Sequence, residues 1–317
     1  LTLSEEMYRV QSVFVPRPGE EIRQAMKFVD PEPRRVDEPL EVGVTYIARL
    51  NESLTLPSGV YGYANPKSST GRNDVHVRML ADGMTRFDSA GDKGYRGTLW
   101  VLITPRSYRV RLAAGQSLLQ TRFFNQDTRF ASDSELEIAY QRHQLLFTPS
   151  GEFIDYSQIK MRDYDGTLIL TVDLDLDVVG YRCEASQKVL DFAKRDFYDP
   201  ADFFQPIPRP KNGSLVLRKG DFYIFVTKEY LRVPPELAAE MAPVDVRAGD
   251  YRAQYAGYFD PGWGFGPDGA LKGAPAVLEV RSFEDNITIR DGQPICKFQL
   301  ERMTEPPEIV YGERGSH

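Results

Sequence analysis

Two stretches of the sequence carry residue types that could do chemistry. The first, Lys67-Ser68-Ser69-Thr70-Gly71-Arg72, gathers two cations, adjacent hydroxyls and a glycine within six residues. Such short donors can surround an anion, because charged and hydroxyl groups give directional bonds to oxygens. A solvated turn is the other reading of the same residues. The second stretch runs from Tyr255-Ala256-Gly257-Tyr258 through Asp260-Pro261-Gly262-Trp263 to Ala276-Val277-Leu278-Glu279-Val280. Ala-Gly in a β context marks a hairpin where backbone comes close to a ligand, so its N–H and C=O groups could read a base edge. Asp-Pro-Gly-Trp is a turn with Pro at its second position. Glu279 stands in an apolar strand, where a carboxylate is costly unless it has a partner or a function. A place on a solvent-facing side is the plain alternative.

The elements that must position these residues are mostly strands. Short β-rich runs punctuated by Gly, Pro, Asn and Asp predict a mainly β chain. Strands are expected at Val42–Leu50, Asp74–Leu80, Thr98–Thr104, Tyr108–Leu112 and Ser117–Phe124. In the second half they are expected at Leu168–Asp175, Asp221–Thr227, Arg252–Tyr258, Ala276–Phe283, Ile287–Arg290 and Pro294–Glu301. Apolar spacing or a good start residue predicts short helices at Glu20–Phe28, Ser134–Arg142 and Pro235–Met241.

One pattern is written twice. Tyr46-Ile47 recurs as Tyr223-Ile224, Leu56-Pro57 as Val233-Pro234, and Gly115-Gln116 as Gly292-Gln293, each 177 residues on (223 less 46, 234 less 57, 292 less 115). Two homologous domains follow, 1–147 and 148–317, with the boundary in the loop-like Gln144–Ser157 stretch. Both copies must keep their packing residues, but each needs only its share of a site, so their differences are informative. Where the first has Lys67-Ser68-Ser69, the second reads Ala242-Pro243-Val244-Asp245-Val246-Arg247, without serines and with a carboxylate. Where the second has Glu279, the first has Leu102, so packing does not require the acid.

Bulk properties narrow the function. At 317 residues the chain is long for one domain. Its net charge of −7 argues against a general nucleic-acid binder, while a few local cations can still hold a small anion. Cys183 and Cys296 make no disulfide framework and suggest a reducing compartment. The absence of a long apolar run or signal segment gives a cytoplasmic expectation with no membrane partner. His76, His143 and His317, with two distant cysteines, form no zinc-deaminase motif, so no zinc is expected. His76, Trp100 and Trp263 read as structural, Arg209-Pro210-Lys211 as a surface loop, and the alternating Asp173-Leu174-Asp175-Leu176-Asp177 as a strand with one solvated face.

Taken together, these segments resemble the dCTP deaminase branch of the dUTPase-like superfamily. The resemblance rests on Lys67-Ser68-Ser69-Thr70-Gly71-Arg72, Asp260-Pro261-Gly262-Trp263 and Val277-Leu278-Glu279, and covers nearly the whole chain as a fused two-domain form. It implies two tandem dUTPase-like distorted β-barrel or jelly-roll domains with a few short helices. Glu279 is implied as general acid/base, Ser68 as holder of the attacking water and Arg72 as orienter of the site. Lys67 and Ser69 would face the phosphates, with Thr70 and Gly71 in the same loop. Ala256, Gly257 and Tyr258 would lie along the cytosine, Asp260 near the sugar, and Tyr311 against the deoxyribose, with Val277 and Leu278 also binding substrate. Lys297 would also line the substrate site, at a position where a glutamine is expected.

The implied reaction is hydrolytic deamination of dCTP to dUTP and ammonia, without catalytic zinc, with Mg²⁺ accompanying the triphosphate. A homo-oligomer is implied, with a trimer favoured, because single-domain members build each site from neighbouring subunits. Two other readings stand beside it. One is a dUTPase-type diphosphatase, or a bifunctional enzyme forming dUMP, because Asp260 follows the hairpin. The other is a non-catalytic β-domain protein.

Overall fold

A computed structural model describes residues 1–130, 132–245, 251–253, 257–266 and 268–313, with positions 92 and 251–253 by backbone alone. It divides into two compact units, Leu1–Gln126 with Cys183–Gln205, and Asp127–Arg182 with Pro206–His317.

The first unit contains β1 (Leu3–Val10), α1 (Ile22–Ala25) running into a 3-10 turn at Met26–Val29, β2 (Thr45–Pro66), α2 (Ser68–Arg72), β3 (Val75–Ala81), β4 (Ser89–Pro105) and β5 (Leu119–Phe124). Its sheet runs β1-β2-β4-β3, with Glu32–Arg34 outside β1 and β5 pairing with β2. Period-two alternation sorts the side chains. Tyr46, Ala48, Leu99, Val101 and Ile103 enter the main core. Ile47, Trp100 and Leu102 point the other way, into a smaller cluster closed by Ile22, Met26 and Val29. Asp82 pins that cover: one carboxylate oxygen accepts from the Ile22 amide at 2.9 Å, the other from the Thr98 amide at 3.0 Å and hydroxyl at 2.6 Å.

The second unit contains α3 (Asp133–His143), β6 (Thr167–Thr171), β7 (Phe222–Leu231), β8 (Leu237–Pro243), β9 (Tyr251–Ala253), β10 (Tyr258–Phe259), β11 (Ala274–Ser282) and β12 (Pro294–Arg302). The side chain of Ser132 caps α3 by accepting from the Glu135 amide, and Arg142 and His143 sit at its C-terminal end, where cations are favoured. One sheet centres on β7-β11-β9; a second runs β10-β8-β12-β6.

The repeat is visible atom by atom. Ile47 pairs with Leu102, and 177 residues on (224 less 47, 279 less 102) Ile224 pairs with Glu279. Ala64 pairs with Thr121 as Met241 pairs with Phe298. The Tyr46 hydroxyl accepts from the Glu41 amide at 3.1 Å, and Tyr223 from the Arg218 amide at 2.9 Å. After each Gly, Gln116 and Gln293 accept from the Ala113 and Arg290 amides through their side-chain oxygens; Gly115 and Gly292 take φ of +82° and +73°, which suits glycine.

Several expectations change. The Ala-rich Pro235–Met241 stretch has helical propensity, yet it forms the strand β8, because partners on both sides outweigh local preference. The compact units divide at 126/127, not near 147, since α3 packs into the core of the second unit. Tyr108–Leu112 contains only a two-residue strand, Val110–Arg111. The strand expected through Asp175 ends at Thr171, and Asp173 is buried in a turn, accepting from the Asp175 amide. The chain is mainly β with few short helices, as expected.

Candidate active site

In the first unit the Lys-Ser-Ser stretch forms the short helix α2, not an open loop. Its Lys67 amide donates to Leu118 O at 2.9 Å, and the Thr70 and Gly71 amides donate back to Lys67 O. Thr70 and Gly71 are buried, and the Thr70 hydroxyl donates to Leu118 O at 2.9 Å. These two fix the helix against the segment preceding β5. Ser68, Ser69 and Arg72 are exposed and Lys67 half-buried. Ser68 and Arg72 stand four residues apart on a helical turn and so share a face.

In the second unit β11 alternates cleanly. Ala276, Leu278 and Val280 enter the core, while Val277 and Glu279 take the opposite face. Leu278 therefore points into the core, and half-buried Val277 shares the face of Glu279. Glu279 is only 5% exposed, which rules out the reading of a carboxylate on a solvent-washed face.

The hairpin expected between β9 and β10 is described from Gly257 onward; Ala256 lies outside the described residues. Gly257 O accepts from the Met241 amide at 2.8 Å, and Tyr258 pairs with Glu240 on β8. The Asp260–Trp263 turn closes when the Trp263 amide donates to Asp260 O at 3.1 Å. The Phe259 and Trp263 rings meet edge-on, with centroids 4.8 Å apart, so Trp263 is a packing residue as expected; Trp100, 1% exposed, is another. Asp260 stays exposed. Gly262, at φ +92°, lies where a Cβ would come within 2.6 Å of the Val310 Cβ, and the Tyr311 amide donates to Pro261 O at 2.9 Å. The structure thus brings Tyr311 to the same turn as Asp260.

Lys297 is ion-paired within the second unit. Its ammonium lies 2.5 Å from an Asp163 oxygen and 2.7 Å from one of Asp165. Burial works to lower its pKa, but the two carboxylates outweigh this and raise it. Its charge is answered within the protein, so it contributes no unpaired cation to a phosphate.

The sequence reading passed over a second group of buried acids. Glu240 and Glu301, 6% and 2% exposed, share the Arg129 guanidinium at 2.7 and 3.2 Å. The signal was present, an acid inside the apolar run Leu237-Ala238-Ala239-Glu240-Met241, but the helical reading of that run hid it. Among the described residues no three His, Cys, Asp or Glu side chains form a group that could hold a metal ion, and no helix is long and apolar enough to cross a membrane.

Comparisons with known proteins identify the family. Family profiles for the N-terminal and C-terminal domains of 2'-deoxycytidine 5'-triphosphate deaminase match residues 1–127 and 133–317. The crystal structure of 2'-deoxycytidine 5'-triphosphate deaminase from Agrobacterium tumefaciens is similar, with a TM-score of 0.84 and 33% identity, covering 97% of this chain and 89% of that one. A curated relative from Methanobrevibacter smithii, described as "dCTP deaminase, dUMP-forming", is 26% identical over 134 residues, 39% of this chain and 64% of that protein. With both domain profiles matched in order along one polypeptide, the chain belongs to the 2'-deoxycytidine 5'-triphosphate deaminase family.

Proposed function

We propose that this protein hydrolyses the 4-amino group of dCTP, releasing ammonia, with Glu279 as the general acid/base. The observation that carries this reading is a buried carboxylate in β11 at the register where the first unit holds Leu102. Deamination needs a water at C4, a proton for N3 and a proton for the departing amine. One carboxylate can serve all three in sequence: Glu279 takes a proton from water as the oxygen attacks C4, delivers it to N3, and then shuttles the second water proton to the amino nitrogen as the C4–N bond breaks. A positioned group of this kind contributes about 10²–10⁴-fold; fixed dipoles and orientation supply the remainder. In this reading Ser68 holds the water and Arg72 orients the glutamate. Lys67 and Ser69 face the phosphates, the Gly257–Tyr258 backbone reads the base, and Asp260 and Tyr311 flank the sugar. Mg²⁺ arrives on the triphosphate, the protein works as a homo-oligomer, a trimer by preference, and each unit is a variant of the dUTPase-like jelly roll.

A second reading adds phosphate hydrolysis to form dUMP. Exposed Asp260 in the turn after the hairpin favours it, as does the description of the methanogen relative. Ammonia and pyrophosphate measured from one dCTP incubation decide the matter. Ammonia alone supports deamination to dUTP, equal amounts of both support dUMP formation, and neither product refutes both readings.

A further inference from the structure

We propose that Arg129 is a positioning residue for the base-reading Gly257–Tyr258 segment: by joining the buried carboxylates of Glu240 and Glu301, it fixes the row of side chains that sets Tyr258 and the Gly257 backbone. The proposal rests on the reading above in which that backbone lies along the cytosine.

β10 is two residues long and occupies the edge of its sheet. So short a strand has few ladder hydrogen bonds of its own, and edge strands gain register from the side chains opposite them. Tyr258 faces Glu240 on β8, and Glu240 faces Gln299 on β12. Since Ala239, Met241, Phe259, Phe298 and Leu300 occupy the core side, Tyr258, Glu240, Gln299 and Glu301 share the other face. Two acids buried side by side repel and lose solvation, so they need a cation with good geometry. Arg129 supplies it: Nη2 donates to Glu240 Oε2 at 2.7 Å and Nε to Glu301 Oε1 at 3.2 Å. One planar fork spans both acids, which the single ammonium of a lysine does less well.

The backbone around Arg129 is itself anchored. Thr128 O accepts from the Arg302 amide at 2.7 Å, and Phe130 O accepts from Gln299 Nε2 at 2.9 Å, so the segment is tied to β12 on both sides of Arg129. Gly166 allows this approach, since a Cβ there would stand 2.9 Å from Phe130 O. The first unit shows that the fold does not demand these acids. Residues 177 earlier (240, 299 and 301 less 177) are Tyr63, Arg122 and Phe124, and there Arg122 stacks on the Tyr63 ring at 4.7 Å.

The test uses the full chain and the variants R129M, R129K and R129M/E240Q. Ammonia release from dCTP is read as kcat and KM, and hydrogen exchange of the nucleotide-free protein is followed over residues 257–259 and over β7 and β11. For R129M we expect KM to rise about tenfold while kcat changes less than about twofold, the pattern of lost ground-state positioning. Exchange should quicken in 257–259 and not in β7 or β11. R129M/E240Q, which also removes one of the two carboxylate charges that Arg129 joins, should recover part of both effects, and R129K should fall between wild type and R129M. Wild-type KM and exchange in R129M would overturn the proposal. So would loosening spread evenly through the second unit, or a double variant no better than the single one. If the wild type releases no ammonia, the deaminase reading fails by itself; the exchange pattern then supports or overturns the clamp by the same criteria.

Discussion

The outer sheet face of the first unit and its equivalent in the second have the same strand register and opposite chemistry. In the first, Ile47, Trp100 and Leu102 are sealed beneath Ile22, Met26 and Val29, which Asp82 holds down. In the second, half-buried Ile224 and Val277 flank a buried Glu279. A carboxylate at position 102 would lie under an apolar cover; a leucine at 279 would remove the proposed general acid/base. Duplication provided two frames, and the covering segment committed one of them to packing.

The largest expected effect tests the side with the acid. Glu279→Gln should lower ammonia release by at least about 10²–10⁴-fold while dCTP still binds; calorimetric titration with dCTP checks the second half. Near-normal turnover would break the comparison. The mirror change, Leu102→Glu, should cost about 3–5 kcal/mol in urea unfolding, because it buries an uncompensated charge under α1. Glu279→Leu, which copies the first unit, should change unfolding much less.

A smaller contrast concerns α2. Ser68→Ala should reduce kcat about a hundredfold if that hydroxyl holds the water. Asp245→Ala, 177 residues on, should change it less than about threefold, being outside the proposed machinery. Comparable losses in both would mean that the second copy is not idle.

The finest contrast is between Glu52 and Glu229, also 177 apart. Each accepts from the amide and hydroxyl of a threonine, Thr2 and Thr171 respectively. Burial raises the pKa of both. In Glu52 the Thr2 bonds overcome it and the pKa is lowered; in Glu229 burial prevails and it is raised. The signs therefore differ. The stabilising contribution of Glu52 is present above its unfolded pKa and is lost as pH falls through the depressed folded value. That of Glu229 is fullest below its unfolded pKa and is lost as pH rises through the elevated folded value. Unfolding free energy measured between pH 3 and 8 should lose part of its acid-side decline in Glu52→Gln, and part of its neutral-side decline in Glu229→Gln. Identical profiles for the two variants would refute the assignment.

Much of this was legible in the residues. The 177-residue offset, found from three dipeptides, reappears in strand pairing and in the Tyr and Gln side-chain bonds. Glu279 stood out because an acid in an apolar strand is costly. Strand ends were less readable: β2 runs to Pro66, well past the expected Leu50, because its exposed stretch pairs with β4 without an apolar signature. The α2 residues show the same limit. Composition nominated all six, but only the fold buries Thr70 and Gly71 and leaves Ser68, Ser69 and Arg72 outward.

The sequence by itself determined the duplicated strand pattern, the mainly β character and the residues on which the copies differ, since periodicity and the cost of misplaced polar groups act locally. Only the tertiary structure decided that Leu237–Pro243 is a strand, that Lys297 is neutralised by Asp163 and Asp165, and that Arg129 joins two buried glutamates. Each of those outcomes depends on groups far apart along the chain, whose attraction exists only once the backbone has brought them within a few ångströms.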